Sequence, residues 1–541
     1  MITIWLGMSS TGAAERWAPP GAGPQTEVLI VGAGPTGLVL ALGLKRLGIG
    51  VRIIDQVAEP GTTSRALVLH ARTLELYRQL GLADEIVGLG LEFAAVNLWA
   101  HGEHAARIVF SDLGRGLSPF PFMLIFPQDQ HERLLVEHLR REGVEVERRT
   151  RLTGFEEHGD HLVAQIEGDG VSATCRAVYL AGCDGGHSQV RQTMAIGFPG
   201  GTYERVYYVA DAEIRGPVAN HELHVALDEA DLLAVFPMKG AHAARLIGTV
   251  KRESEAAREA LTWNDVGQGM VQRLKLEVER INWFSTYRVH HRVAEQFGRG
   301  RAFLLGDAGH VHSPVGGQGM NTGIGDAFNL SWKLADVLRG RADATLLDSY
   351  GPERRAFAQR LVATTDRLFT FTTRDGALAR AVRLQAIPRI VPRLMARPRV
   401  RRFMFETISQ IRVSYRDLPL SEGRAGAVHA GDRLPWVAPV RAGEPDNFAS
   451  LGARVWQVHV YGEASGPLQQ TCARQGLPLL VFPWRSGAGT AGLARDAAYL
   501  VRPDGYLAWA DPAAKPAQLE RYLDTRGLRP GYQEKDPERV L

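Results

Sequence analysis

Between Ala302 and Leu338 the hydrophobic pattern changes period. Ala302-Phe303-Leu304-Leu305 is a continuous apolar run, which predicts a buried strand. From Thr322 to Leu338 the spacing is helical, and Met320, Ile324, Ala327, Phe328, Leu334 and Leu338 supply most of one stripe. Between them lie an acidic turn, Gly306-Asp307-Ala308-Gly309-His310, and a glycine-rich loop from Ser313 to Asn321. Strand, turn and helix also open the chain. Glu27 to Val31 predicts a strand, Gly32-Ala33-Gly34-Pro35-Thr36-Gly37 a tight turn, and the residues up to Leu47 a helix. A second strand, Val51 to Ile54, ends at Asp55, 18 residues beyond Gly37. A third such passage runs from Val178 through Cys183-Asp184-Gly185-Gly186 into a short helix, Ser188 to Met194, that carries Arg191.

The remaining pattern divides the chain. Ala71 to Leu80 and Gln130 to Arg141 read as helices, the second opened by Gln128. Phe93 to Phe110 and Phe120 to Phe126 alternate loosely as strands, and Val144 to Glu147, Leu152 to Glu156 and His161 to Ile166 suggest a strand and a hairpin. Val206 to Ile214, Glu222 to Leu227, Leu232 to Phe236, Ala244 to Val250 and Trp283 to His291 predict a separate, mostly antiparallel sheet. Arg258 to Glu279 reads as helix, as does Leu346 to Phe371. Prolines 388, 392 and 398 interrupt the arginine-rich stretch Ala377 to Phe405, which reads as packing helices or a dimer contact. Gly423 to Asn447, rich in Gly, Pro and Ala, reads as a linker before a small α/β unit.

The expected fold is therefore α/β: a Rossmann-type domain with an inserted antiparallel sheet and a small C-terminal domain. The expected boundaries are a flexible lead-in at 1–25, a nucleotide-binding domain at 26–195 with sheet strands near 93–126, and the inserted sheet at 196–297. The first domain then resumes at 298–370, followed by a helical connector at 371–425 and the last domain at 426–541. A chain of 541 residues accommodates this many units.

Composition narrows the class. The chain is 45% hydrophobic and 23% charged with a formal charge of +4, ordinary for a soluble globular protein and no argument for a nucleic-acid partner. Its three cysteines, Cys175, Cys183 and Cys472, form no CxxC pair. A disulfide framework or metal site is not expected, and a reducing, cytoplasmic compartment is. No apolar run is long enough to span a membrane.

The loops carry the candidate chemistry. In strand–GxGxxG–helix–strand–acid, Gly32 makes the turn, Gly34 lets a pyrophosphate approach, and Gly37 lets helix and sheet pack. Pro35 and Thr36 open the helix on which phosphate sits. Asp55, with Gln56 beside it, accepts from ribose hydroxyls. Arg65 is a candidate for pyrophosphate or an incoming nicotinamide cofactor, and Gln128 for a cofactor hydrogen bond. At the later loop, Asp307 suits sugar-like hydroxyls. Gly317, Gln318, Gly319, Met320 and Asn321 offer helix-start amides to a developing negative charge. Together these suit a flavin. Phe236, Pro237 and Met238 on the inserted sheet are candidates to face an aromatic substrate, with plain sheet packing as the alternative.

Taken together, GxGxxG at Gly32 to Gly37, Asp-Gly at Cys183 to Arg191 and Gly-Asp at Gly306 to Asn321 resemble the single-component FAD-dependent aromatic hydroxylases of the para-hydroxybenzoate hydroxylase superfamily. The resemblance is strongest to the phenol, pentachlorophenol and polyketide-ring hydroxylases that carry a thioredoxin-like C-terminal domain. It covers about residues 26 to 360, and again Val501 to Ala510. It implies FAD as cofactor, NADPH or NADH and O₂ as co-substrates, and hydroxylation of a phenolic or polyketide ring through a flavin C4a-hydroperoxide. It also places Asp184 and Arg191 where FAD and the nicotinamide cofactor are handled, Pro314 beside the isoalloxazine, and Gly317 to Asn321, with Gly319 and Met320 among them, along its pyrimidine edge. Asp55 stands where glutamate is common. The proton-transfer residue is not readable from the spacing. A homodimer is one expected assembly. The rival readings are another flavoenzyme on the same fold and a protein that binds an aromatic compound without transforming it.

Overall fold

The structure, a computed structural model, describes residues 26–531 except 62–65, 94, 101, 110–112, 228–231, 241, 251–260, 267, 374–389, 391–392, 396 and 442. The expected lead-in at 1–25 and Arg65 lie outside the described residues.

The organising sheet has Thr26–Val31 at its centre. It pairs in parallel with Val51–Ile54 on one side and with Val171–Gly182 on the other, and Val171–Gly182 pairs in parallel with Ala302–Leu304. These strands are apolar on both faces because both are covered, as parallel sheets require. The helices Pro35–Lys45 and Gln318–Leu338 pack together against them, and one continuous core joins Val28–Val31, Leu38–Leu42, Leu180, Leu304 and Ile324. The hairpin Thr150–His158/His161–Gly168 extends Val171–Gly182.

A second eight-stranded sheet runs in the order His310–Val311, Glu277–Val293, Gly200–Arg215, Ala243–Thr249, Leu232–Pro237, Leu223–Leu227, Ala95–Ala100, Glu103–Val109. It is antiparallel except where Leu223–Leu227 meets Ala95–Ala100. One face has its own core of Val206, Tyr208, Ala210, Val235 and Leu246, closed by the helix Gln268–Arg273. From the other face, Val96, Ile108, Val225 and Phe236 pack against the core of the first domain.

The C-terminal sheet orders Val428–His429, Glu422–Ala425, Leu507–Asp511, Ala498–Val501, Gln457–Tyr461 and Leu479–Phe482. Gln457–Tyr461 is parallel to Leu479–Phe482 and antiparallel to Ala498–Val501, with helices Gly466–Arg474 and Pro516–Thr525 alongside. This is the thioredoxin-like arrangement, without a CxxC.

Four sequence expectations change. Gly423 to Asn447 is not a linker throughout: Glu422–Ala425 pairs with Leu507–Asp511, and at Gly423, with φ +90°, an added Cβ would lie 2.2 Å from Ala510 O. Arg258 to Glu279 is not one helix. Only Trp263–Asp265 and Gln268–Arg273 are helical among its described residues, and the chain from Glu277 already belongs to a long strand. Phe93 to Phe110 breaks into Leu91–Phe93, Ala95–Ala100 and Glu103–Val109. Of the strands expected near 93–126, Met123–Ile125 joins Val68–Leu69 and Leu91–Phe93 in a separate small sheet, whereas Ala95–Ala100 and Glu103–Val109 join the large one.

Candidate active site

The three motif loops leave the same end of three adjacent parallel strands, so the sheet itself brings them together. Gly32 has φ +103°, and a Cβ built there would lie 2.3 Å from Cys183 O. A Cβ at Gly37 would lie 1.9 Å from Gly32 O. At both positions the backbone approach admits only glycine. The Thr36 hydroxyl is wedged between two other glycines: built Cβ atoms at Gly306 and Gly323 would come within 2.7 and 2.3 Å of its Oγ1. Arg191 ties the remaining pair, donating from Nη1 to Ala308 O and from Nη2 to Gly186 O, both at 2.8 Å.

Four observations test this cradle against FAD. A Cβ at Gly34 would meet nothing within 4 Å, so the space in front of the first helix is open. The helices Pro35–Lys45 and Gln318–Leu338 both start at glycines, Gly34 and Gly317, with no side-chain cap and no acidic residue in the first turn. Their first N–H groups and positive dipole ends therefore remain for a phosphate or an anionic ring edge. Asp184 accepts from Val190 N–H through Oδ2 at 3.1 Å, while its Oδ1 is buried with no protein partner. Burial also pushes this carboxyl above its ordinary value. Asp307 is exposed on the short turn Gly306–Ala308. Pyrophosphate, ribityl hydroxyls and a ring edge that accepts amide hydrogen bonds match these groups, so the residues present fit FAD.

The remaining sequence candidates are placed as follows. Asp55 accepts from Ala33 N–H at 2.6 Å and from Val57 N–H at 2.9 Å, so it shapes the glycine turn. Gln56 is exposed next to it. The Gln128 amide donates to Glu132 Oε1 at 2.7 Å, one helical turn on. Pro314 is exposed, and Gly317, Gly319 and Met320 are half-buried at the helix start.

Two members of that helix start turn their side chains away from the cradle. Asn321 accepts from His70 N–H at 3.0 Å and Thr73 Oγ1 at 2.6 Å, and donates to Val68 O at 2.8 Å and Gly317 O at 2.7 Å. Gln318 donates to Ile408 O at 2.8 Å and accepts from Gln410 Nε2 at 2.7 Å. Both side chains hold the loop, and only their backbone amides stay with the cradle.

Phe236, Pro237 and Met238 do not act as a unit, because side chains alternate across a strand. Sheet register aligns Phe236 with Arg245, Arg245 with Asp211, and Asp211 with Trp283, in one row on the face toward the first domain. Pro237 falls on the opposite face and lines a separate 230 Å³ cavity with Ile214 and Val235.

Phe236 was a sequence candidate, but Arg245, Asp211 and Trp283 beside it were missed. Arg245 is 1% exposed and makes a bidentate pair with Asp211 at 2.6 and 2.7 Å. Its Nη1 reaches Ala66 O at 3.5 Å, which ties the sheet to the first domain. An arginine inside the apolar strand Ala243–Thr249 was the available signal. Also missed was Arg148, 3.7 Å from Asp55 with its Nη2 buried and unpartnered, and the buried set Asp326, His310 and Arg354 behind the Gly306 turn.

Burial pushes the Cys183 thiol well above its ordinary value, so it stays protonated and packs as a small hydrophobe. Among the described residues no His, Cys, Asp and Glu cluster could hold a metal ion, and no helix is long and apolar enough to cross a membrane.

Comparison with known proteins agrees with this geometry. The FAD binding domain family model matches residues 25–365, and the model for the aromatic-ring hydroxylase C-terminal domain matches 428–526. The 6-methylpretetramide 4-monooxygenase of Streptomyces rimosus is 34% identical over 543 residues, covering 95% of each chain. The anhydrotetracycline hydroxylase OxyS from Streptomyces rimosus superposes with a TM-score of 0.75 at 28% identity, over 94% of this chain and all of that one. A Diels-Alderase of pyrroindomycin biosynthesis superposes with a TM-score of 0.72 at 28% identity, over 93% of this chain and 100% of its own. The chain belongs to the FAD-binding aromatic-ring hydroxylase family and is an oxidoreductase of the flavin-dependent aromatic monooxygenase class.

Proposed function

We propose that the protein hydroxylates a phenolic ring of a fused, polyketide-like aromatic compound, using NADPH or NADH and O₂. The observation that carries this is the row Phe236, Arg245, Asp211 and Trp283, which turns an aromatic and ion-paired surface toward the flavin-binding domain. A flat, hydrogen-bonding ring system fits such a surface, with the rings on Phe236 and Trp283 and an oxygen near Arg245. The 6-methylpretetramide named for the Streptomyces rimosus relative, and the anhydrotetracycline named for OxyS, support the same reading.

In this reading Gly32, Gly34, Pro35, Thr36 and Gly37 take the pyrophosphate and Asp55 the adenosine ribose. Asp184 and Asp307 hold hydroxyl-bearing parts of the cofactor, and Arg191 holds their two loops in register. Pro314 lies beside the ring system. The amides of Gly317 to Asn321 face its edge and favour negative charge there. When bound, FAD supplies the electron and oxygen chemistry. The chain binds and orients both ring systems and keeps water away through the apolar face of the second sheet. The proposed division follows the sheets: a nucleotide domain interrupted by a substrate sheet near 196–297, and a thioredoxin-like domain from about 426.

The test is NADPH oxidation by the purified holoenzyme, with and without phenols and fused-ring polyketides. A hydroxylase oxidises NADPH faster when its aromatic ligand is present and releases product heavier by one oxygen. A Diels-Alderase or a sequestering protein leaves the rate unchanged, and that result would overturn the proposal.

A further inference from the structure

The role of the C-terminal domain is not explained by the site as described. It touches the flavin-facing helix from behind, through a chain of buried groups. Asp326, fully buried on the helix Gln318–Leu338, accepts from Gly306 N–H at 3.0 Å and contacts His310 Nε2 at 2.7 Å. Its other oxygen accepts from Arg354 Nε at 2.6 Å. The same guanidinium donates through Nη2 to Thr322 O, near the helix start, at 3.0 Å. Through Nη1 it donates to the Tyr415 hydroxyl at 2.8 Å. Directly, and through Asp326, the Arg354 side chain thus links the acidic turn, the helix start and the strap that leads to the last domain.

The strap is itself anchored. Tyr415 N–H donates to Gly431 O at 2.7 Å, and its ring lies 4.4 Å from that of Tyr506. Tyr506 closes the turn that begins at Arg502. Arg502 pairs with Glu353, the neighbour of Arg354, at 2.7 and 3.0 Å, and with Asp504 at 2.7 Å. Glu353 in turn accepts from Lys333 at 2.8 Å and Asn329 at 2.7 Å, both on the flavin-facing helix. Every charged member of this network is at most 3% exposed.

Buried ion pairs contribute little net stability, because desolvation offsets most of their attraction. What a fully satisfied buried network supplies is a single fixed arrangement. We propose that Arg354 is a positioning residue for the flavin site and that the C-terminal domain, through Tyr415 and the Arg502–Asp504 turn, sets the orientation of the Gly306 turn and the helix start. This rests on the functional reading above.

The test compares four full-length proteins: wild type, Arg354→Lys, Tyr415→Phe and a control, Arg78→Met. Arg78 pairs with Asp446 at 2.7 and 3.0 Å, so the control also cuts a link between the domains but one that does not reach the flavin helix. Three quantities are read: thermal midpoint, FAD dissociation constant on the deflavinated protein, and reduction potential of the bound flavin. Arg354→Lys and Tyr415→Phe are expected to weaken FAD about tenfold. A tenfold difference between the effects on oxidised and reduced flavin would move the potential by about 30 mV for this two-electron couple. The control is expected to lower the midpoint and leave affinity and potential at wild-type values. If Arg354→Lys and Tyr415→Phe keep wild-type affinity and potential, with or without a lower midpoint, the network only holds the fold together and the proposal is overturned. Wild-type protein that binds no FAD overturns the functional reading instead, and this proposal with it.

Discussion

At Gly34 and Gly37 the same substitution should have opposite consequences. Gly37→Ala forces a methyl to 1.9 Å from a backbone oxygen, so it should fail to fold or lose much of its stability. Gly34→Ala places its methyl in open space at φ −75°, an ordinary backbone value. It should keep its thermal midpoint and weaken FAD by at least about tenfold, ~1.4 kcal/mol. Flavin titration and a melting curve on the two variants check this. Both glycines were legible in the sequence because their reasons are local: a turn and a close approach within one motif. Asp211 and Arg245 were not, because only the pairing of Gly200–Arg215 with Ala243–Thr249 makes them partners. Asn321 was legible as part of the loop but not in its role, since its partners sit near residue 70.

The helix Gln318–Leu338 is the element on which the site depends. It was readable from its stripe and from the glycines before it. What the stripe could not show is how its first turn is held. Asn321, Gln318 and Thr322 each spend a side chain on a different neighbour: the segment from Val68 to Thr73, the segment from Ile408 to Gln410, and the Gln318 carbonyl one turn earlier. Asn321→Ala removes four hydrogen bonds in a site 1% exposed and should cost about 3 kcal/mol, because partners are left buried and unpaired. Urea unfolding of the apoprotein measures it; a loss below about 1 kcal/mol would show that the loop relaxes to satisfy those partners by other means. The supposed linker at Gly423 was misread for a related reason. Glycine and proline mark turns, but here the strand Glu422–Ala425 is completed by Leu507–Asp511, a pairing across the domain that composition does not show.

At the scale of the whole molecule, burial fixes the pH response. His70 and His312 are pushed down to about 4, and His131 and His459 to about 3, each chiefly by burial. Unfolded, each would protonate near about 6.5. The unfolded chain therefore binds more protons below that pH, and stability present above it is lost as pH falls toward about 4. Glu353 extends the loss to lower pH: burial raises its carboxyl, but Arg502 and Lys333 outweigh burial and hold it well below the usual range. The thermal midpoint should fall steadily from pH 7 to pH 5; a flat profile would show that these histidines are not held neutral by burial. Two-sheet architecture and a third domain were visible in the sequence as blocks of alternating and helical pattern. The way the third domain reaches the flavin helix was not, because Arg502 and Glu353 meet only in the folded chain. A flavin-dependent aromatic monooxygenase puts one atom of O₂ into an aromatic ring. The most direct measurement is turnover under ¹⁸O₂ with NADPH and an aromatic compound that accelerates its oxidation, followed by mass spectrometry of the product. The expected product carries a single labelled oxygen on the ring; product that carries oxygen from water, or no added oxygen at all, would contradict monooxygenation.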